Sequence, residues 1–207
     1  MPIIQLYVSD CEADDVVAYL VDYSFKDEKC VVVSSDKDLY QLITNRVTQW
    51  SPGQKAFIRP EDVKEKFGVS CVNFCVARCF IGDPSDGLPG IKGVGFKSMS
   101  KRFSELASDK EITVEDIIKS SQEMSKKSKI KVYQNIVDDA DRARINWKLM
   151  NLGTSNLAAV QIEKIIGVVN TFSPARNKIA LMRILLREGI INFDVDSFFM
   201  SMCAVER

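Results

Sequence analysis

The segment KCVVVSSDKDLYQLI constrains the fold most strongly, because an uninterrupted apolar run passes directly into an acidic turn. The apolar residues from Cys30 to Val33 predict a buried strand, and the pattern that begins at Leu39 predicts a helix after the turn. Open α/β sheets bind their ligands just beyond the carboxyl ends of the strands. The acidic turn therefore lies where an α/β fold would place a functional site.

Neighbouring segments support an α/β interpretation of the first part of the chain. Residues 3–8 alternate as in a strand, and residues 14–23 place their apolar side chains on one face of a helix. A hairpin is predicted at Pro52 and Gly53, followed by a short helix that ends at Gly68. After the glycine-rich region the chain is predicted to be mainly helical, with KSSQEMSKKSKIK as a mobile loop or a frayed helix.

Seven acidic residues lie at junctions between predicted elements, in the segments EADD, SSDKD and GDPSD: Glu12, Asp14, Asp15, Asp36, Asp38, Asp83 and Asp86. Each cluster alone also has a structural explanation, since aspartates cap helices and build turns and surface acids are solvated. Gathered at one edge of a sheet, however, these carboxylates would repel one another unless a cation neutralised them. Together they predict a divalent metal site.

The donor types indicate which metal and which chemistry to expect. The chain contains no histidine, and carboxylate oxygens suit Mg²⁺ or Mn²⁺ better than Zn²⁺. Seven acids suffice for two ions, an arrangement that supports phosphodiester hydrolysis. The sequence thus favours a two-metal site that acts on nucleic acid.

Three of the six cysteines recur at every fourth position, namely Cys71, Cys75 and Cys79. This spacing predicts one stripe of reduced thiols in the core of a helix. The alternative, a zinc site or an iron–sulfur cluster, would need a fourth ligand that a chain without histidine does not readily offer.

The segment GDPSDGLPGIKGVGFKS holds five of the ten glycines. A tight turn there between two helices would expose backbone N–H groups to phosphates, beside several lysines. The residues predicted to contact the DNA backbone are Gly90, Lys92, Gly93, Gly95, Lys97, Ser98 and Lys101. A nucleotide-binding loop is the alternative, although a helix rather than the expected strand precedes this turn.

These motifs resemble those of the structure-specific 5′-nucleases of bacteriophages and bacteria, which include flap endonucleases and 5′-3′ exonucleases. EADD, SSDKDLYQL, GDPSDGLPGIKGVGFKS and INWKLMNL carry the resemblance, in the family's order. It implies a parallel-sheet nuclease core over residues 1–82, and over residues 83–207 a helix-three-turn-helix module with C-terminal helices. It also implies that all seven acids hold Mg²⁺ or Mn²⁺, and that the carbonyls of the glycine turn hold K⁺.

The resemblance implies a replication nuclease that cleaves branched or 5′-ended DNA, or RNA–DNA hybrids in the manner of RNase H. Family members begin with a strand, an acidic motif and a helical arch before EADD, which here starts at residue 12. We therefore expect an N-terminal portion to come either from a complementing polypeptide or from a start site that lies further upstream. The alternatives are a DNA-binding module without catalysis and a degenerate fragment. With no apolar run long enough to span a membrane, we expect a cytoplasmic protein with no membrane partner.

Overall fold

The computed structural model describes residues 3–173 and 177–204. Residues 10–158 form one compact unit, and the described residues on either side of them form another. The functional division predicted at residue 82 lies within the first unit and stays a prediction.

A three-stranded sheet in the order β1–β2–β3 lies in the first unit. Strands β1 (Cys30–Val33) and β2 (Val47–Ser51) are parallel, with Cys30 opposite Val47. Strand β3 (Ala56–Ile58) returns antiparallel to β2, which confirms the predicted hairpin. The strand predicted at residues 3–8 is wrong: these residues alternate in exposure but form no strand. A period of two becomes a strand only where a neighbouring strand completes its hydrogen bonds.

The first unit also contains a series of α-helices. They are α1 (Ala13–Tyr19, extended by a π-helical turn at Leu20–Ser24), α2 (Pro60–Phe67), α3 (Phe74–Ile81), α4 (Phe96–Arg102), α5 (Val114–Lys127), α6 (Lys131–Asp138) and α7 (Ala140–Met150). Short 3₁₀ turns occupy Asp38–Leu42, Cys71–Asn73, Ser104–Ala107 and Thr154–Asn156. Gly68 ends α2 in the left-handed conformation, as predicted.

Helix α3 lies at the centre of the main core of this unit. Phe80 and Cys79 are fully buried against side chains of α4, α5 and α7. On α7, the amide of Asn146 donates to the carbonyl oxygens of Cys79 (2.8 Å) and Pro89 (3.1 Å). Because buried polar groups are costly unless paired, these bonds fix the loop after α3 against α7.

The three cysteines are confirmed as free thiols in the core, but they do not form one helical stripe: Cys71 lies in the 3₁₀ turn before α3 and packs in a different cluster from Cys75 and Cys79. Cys71, Cys75 and Cys79 are buried and form no disulfide. Burial raises the pKa of Cys71 to about 12. The pKa of Cys79 is also raised, first by its contact with Cys75 and then by burial. The thiols of Cys71 and Cys79 therefore stay protonated, which suits packing rather than metal binding.

Most of the segment predicted as a mobile loop or a frayed helix belongs to α5, so the helical alternative is correct for residues 119–127. Thr113 caps this helix: its Oγ1 accepts from the N–H of Asp116 (3.1 Å), and Asp116 accepts from the N–H of Thr113 (3.0 Å). Ile117 and Ile118 are buried on the inner face. The hydrogen-bonded N-cap and the buried apolar stripe therefore stabilise a helix despite the Ser- and Lys-rich composition.

The second unit contains α8 (Ala159–Thr171), α9 (Lys178–Arg187) and α10 (Val195–Ala204). Asn177 caps α9 by accepting from the N–H of Ala180 at 2.9 Å. Within the described ranges, no helix has the length and apolar character needed to cross a membrane.

Candidate metal centre

The acidic turn after β1 is held in place by hydrogen bonds from its neighbours. The N–H of Asp38 donates to Asp36 Oδ1 at 2.9 Å. Gln49, fully buried on β2, donates from Nε2 to the carbonyl oxygens of Ser34 (2.8 Å) and Asp36 (2.7 Å). The side chains of Asp36 and Asp38 are thereby positioned at the carboxyl end of β1, as the sequence predicted.

A second acidic segment reaches the same place from the loop after α3. Asp83 and Leu88 form an antiparallel bridge, with N–H to carbonyl distances of 2.8 Å in both directions. One carboxylate oxygen from each of Asp38, Asp83 and Asp86 lies within 4.8 Å of the others. This all-oxygen set suits a hard divalent cation such as Mg²⁺ or Mn²⁺. The structure thus brings together acids separated by 45 residues.

Sequence reasoning missed Arg78, a basic residue within this cluster. Its Nη2 donates to Asp38 Oδ1 at 2.8 Å and also to Asp83 Oδ2. Arg78 is the only charged residue in α3, FCVARCFI. A lone charge on an apolar, buried helix was the signal that could have identified it, since such a charge needs a partner.

The carboxyl groups of this cluster differ in their electrostatics. Burial raises the pKa of Asp38, and the neighbouring Arg78 offsets only part of this effect. Burial also acts to raise the pKa of Asp83, but hydrogen bonds from Ser85 and the charge of Arg78 outweigh it, so the pKa lies below its usual value. The lowered pKa therefore favours the ionised, negatively charged form of Asp83.

The first acidic motif, Glu12 to Asp15, lies close enough to Asp36 and Asp38 for their charges to affect the pKa of Asp14. The pKa of Asp14 is raised by burial first, and then by Asp36, Glu12, Asp38 and Asp15. Glu12 is exposed at the start of α1 and makes no side-chain capping bond. Asp15 Oδ1 accepts from Asn156 Nδ2 at 2.8 Å, so one of its oxygens is engaged. Asp38, Asp83 and Asp86 are the acids whose oxygens gather most closely, and metal binding by any of the seven acids stays a prediction.

The glycine turn links α3 to α4, with exposed Lys92 in the turn and exposed Lys97 and Lys101 on α4. The N–H of Gly95 donates to Ser98 Oγ at 2.8 Å, which ties the turn to the first residues of α4. Gly90 packs directly on backbone: a Cβ at this position would lie 1.7 Å from the carbonyl oxygen of Ile81. Gly90 thus has a packing role, whatever it contributes to DNA binding.

Known proteins resemble the chain over this region. The family described as "5′-3′ exonuclease, N-terminal resolvase-like domain" matches residues 1–68. The thermostable DNA polymerase I of Thermus thermophilus is 40% identical over 105 residues, which is 50% of this chain and 12% of the polymerase. Flap endonuclease Xni of a Shewanella species is 29% identical over 155 residues, 74% of this chain and 56% of that protein.

A solved structure shares the fold. The bacteriophage T5 flap endonuclease in a complex with DNA and metal ions is 24% identical, with a TM-score of 0.65 over 77% of this chain and 59% of that one. The predicted α/β nuclease fold is confirmed by this likeness. The chain spans at most 56% of the length of the two curated relatives above. Over the part that it shares with them, the chain is similar to 5′-3′ exonucleases and flap endonucleases, in agreement with the resemblance that its acidic motifs indicated.

Proposed function

We propose that this chain carries the metal-binding and DNA-contacting part of a 5′-nuclease, which hydrolyses phosphodiesters of branched or 5′-ended DNA, or of RNA–DNA hybrids, during replication in the cytoplasm. The observation that carries the proposal is the approach of Asp38, Asp83 and Asp86 to within 4.8 Å beside the end of β1. The relatives described as DNA polymerase I and flap endonuclease support it.

The seven acids would hold two Mg²⁺ or Mn²⁺ ions, with Asp38, Asp83 and Asp86 as the first ligand group. When bound, such ions supply an activated water and neutralise charge on the leaving oxygen of a phosphodiester. The protein's own contribution is to hold its acidic residues in place: the backbone of Asp36 through Gln49, and the carboxylate of Asp83 through the N–H of Ser85. Positioned charge of this kind is usually a large part of catalysis.

The glycine turn would contact the duplex backbone as part of a helix-three-turn-helix module. Exposed Lys92, Lys97 and Lys101 offer positive charge to phosphates without reading the base sequence. In this proposal the backbone carbonyls of the turn hold K⁺. The residues beside the metal centre and the residues that grip the duplex then belong to adjacent segments of one chain.

The outer edge of β1 supports the proposal of a complementing N-terminal segment. Among the described residues the sheet ends at β1, whose Val31 and Val33 are 55% and 66% exposed. A groove of about 480 Å³ beside this edge is lined by apolar side chains that include Val17 and Leu20. Unpaired edges with apolar faces favour the addition of a strand. We propose that a strand of the nuclease's N-terminal portion pairs there.

Cleavage of a labelled 5′-flap with Mg²⁺ tests the function, with and without a polypeptide that supplies the N-terminal portion. We expect cleavage by the completed enzyme and a loss of about 100-fold or more in Asp83→Asn, because one positioned charge is removed. Asp27→Asn is the matched control, since Asp27 is exposed and outside the cluster.

Absence of cleavage in every combination would contradict the nuclease proposal. If duplex binding in Mg²⁺-free buffer were the only activity, and neither Asp36→Asn nor Asp83→Asn changed anything else, the chain would instead be a DNA-binding module.

A further inference from the structure

We infer that Arg78 is a built-in counter-cation of the acidic centre, which competes with divalent ions for the oxygens of Asp38 and Asp83. The inference rests on the proposed function, because it concerns the same metal centre. It adds a residue that the acidic motifs do not contain and assigns that residue a role in setting the metal affinity.

The first step is the position of the guanidinium group. A single nitrogen, Nη2, donates both to Asp38 Oδ1 and to Asp83 Oδ2. The side chains of Arg78, Asp38 and Asp83 are only 12%, 18% and 11% exposed. Charges that are this well shielded from solvent interact strongly, since little water screens them. In the described structure, Arg78 therefore balances part of the negative charge of the cluster.

The second step is the use of oxygen atoms. Asp83 Oδ1 accepts from the N–H of Ser85 at 3.0 Å, which leaves Oδ2 as the oxygen that faces Arg78. Asp38 meets Arg78 through Oδ1. Both residues belong to the group whose oxygens gather within 4.8 Å. A divalent ion bound by this group would draw on carboxylates that already carry a cation, and the two positive charges would repel each other.

The third step is the freedom of the Arg78 guanidinium group to move away from the two carboxylates. Arg78 Nε is buried and has no hydrogen-bond partner in the part of the chain that the structure describes. A cavity of about 260 Å³ adjoins the guanidinium and is lined by polar side chains, among them Ser35 and Lys37. The carboxylates are thus the main restraint on the guanidinium, and space exists beside it.

A purely structural ion pair would predict the opposite response to substitution. If Arg78 only held Asp38 and Asp83 in place, its removal would disorder the ligands and weaken metal binding. If Arg78 competes with the metal, its removal frees the oxygens and strengthens binding. The sign of the change in metal affinity therefore separates the two roles.

The test is direct Mn²⁺ binding by calorimetry to the full chain, without substrate. We expect Arg78→Gln to lower the Kd by about tenfold or more, because a charge close to the bound ion is removed. Arg78→Lys retains the charge and should stay nearer to the wild type. Lys37→Gln is the matched control: it removes one positive charge at the same cavity from an exposed side chain, where water screens the effect.

A thermal melt provides a second readout and guards against misfolding. Without metal, Arg78→Gln leaves the carboxylates uncompensated, so its Tm in EDTA should fall below that of the wild type. Added Mn²⁺ should raise its Tm by more than it raises that of the wild type, because tighter ligand binding adds stability.

Each pattern of binding has a distinct meaning. Equal or weaker Mn²⁺ binding by Arg78→Gln, with the wild type binding normally, overturns the role of Arg78 and leaves the proposed nuclease intact. Binding by Arg78→Gln alone supports the competition. Absence of binding in both overturns the metal centre and the inference together.

Discussion

The backbone contact between Gly90 and the end of α3 provides a sharp test of how the centre is built. A Cβ at Gly90 would lie 1.7 Å from the carbonyl oxygen of Ile81 and 2.4 Å from its carbonyl carbon, whereas real Cβ contacts essentially never fall below 3.0 Å. In Gly90→Ala the two segments must therefore separate by about 1.3 Å, the difference between 3.0 and 1.7 Å. Both atoms at the contact belong to backbone, so no side-chain rotation relieves the clash.

The cost of this separation follows from the bonds that cross the contact. The N–H of Ile91 donates to the carbonyl oxygen of Phe80 at 2.8 Å, and Asn146 donates to the carbonyl oxygen of Pro89 at 3.1 Å. Loss of both bonds costs about 2 kcal/mol, and overpacking adds at least about 1 kcal/mol. We expect Gly90→Ala to lose about 3 kcal/mol of unfolding free energy, which corresponds to a Tm lower by roughly 6–12 °C.

Urea denaturation measures this loss, and Gly95→Ala is the control in the same turn. A Cβ at Gly95 meets nothing within 4 Å, so its substitution should cost less than about 1 kcal/mol. Because Asp83 and Asp86 lie on the loop that Gly90 secures, Gly90→Ala should also weaken Mn²⁺ binding. Equal unfolding midpoints for the two variants would refute the packing role of Gly90.

Three further predictions concern the rest of the first unit. Asn73→Ala should lower the unfolding free energy by about 3 kcal/mol, because buried Asn73 donates to the carbonyl oxygens of Ser108 and Lys110 and accepts from the N–H of Ile112; exposed Asn45→Ala should change it little. Lys97→Gln should weaken duplex binding equally for all sequences and reduce the salt-dependence slope by about 1; an unchanged slope would exclude a phosphate contact. Hydrogen bonds from Thr113 hold the pKa of Asp116 below its ordinary value. The stability advantage over Asp116→Ala should therefore be complete above the ordinary Asp pKa of 3.8 and disappear as pH falls through the lowered value; a pH-independent difference in urea midpoints would contradict this.

The parts of the fold that local rules determine were predictable from the sequence. The apolar run of β1 and the left-handed Gly68 each act within a few residues. The predicted burial of β1 was wrong, because Val31 and Val33 lie exposed on a strand at the edge of the described sheet. Residues 3–8 show the limit of such rules, since their alternating pattern has no strand to pair with among the described residues. A strand depends on a partner elsewhere in the chain, which no local pattern supplies.

The candidate site also combines features that the local sequence determines with features that depend on distant parts of the chain. That Asp36 and Asp38 end β1 could be predicted, because the carboxyl end of a strand is a property of the local sequence. That Asp83 meets Asp38 was expected from the acidic motifs taken together, but which oxygens meet could not be predicted, because tertiary packing brings the loop after α3 to the sheet. Arg78 was missed for this reason: its role depends on two partners, one of them 40 residues away.

The two sides of the acidic centre differ in how their charge is balanced. Asp83 is an anion paired with Arg78, since the hydrogen bonds from Ser85 and the charge of Arg78 together outweigh the cost of its burial. The charged groups that shift the pKa of Asp14 are all carboxylates, and they add to the effect of burial. A cation bound near Asp14 would therefore relieve the repulsion among these carboxylates, whereas one bound at Asp83 must first compete with Arg78. If two divalent ions bind, we expect the ion nearer Asp14 to bind more tightly, and Arg78→Gln to strengthen chiefly the weaker site.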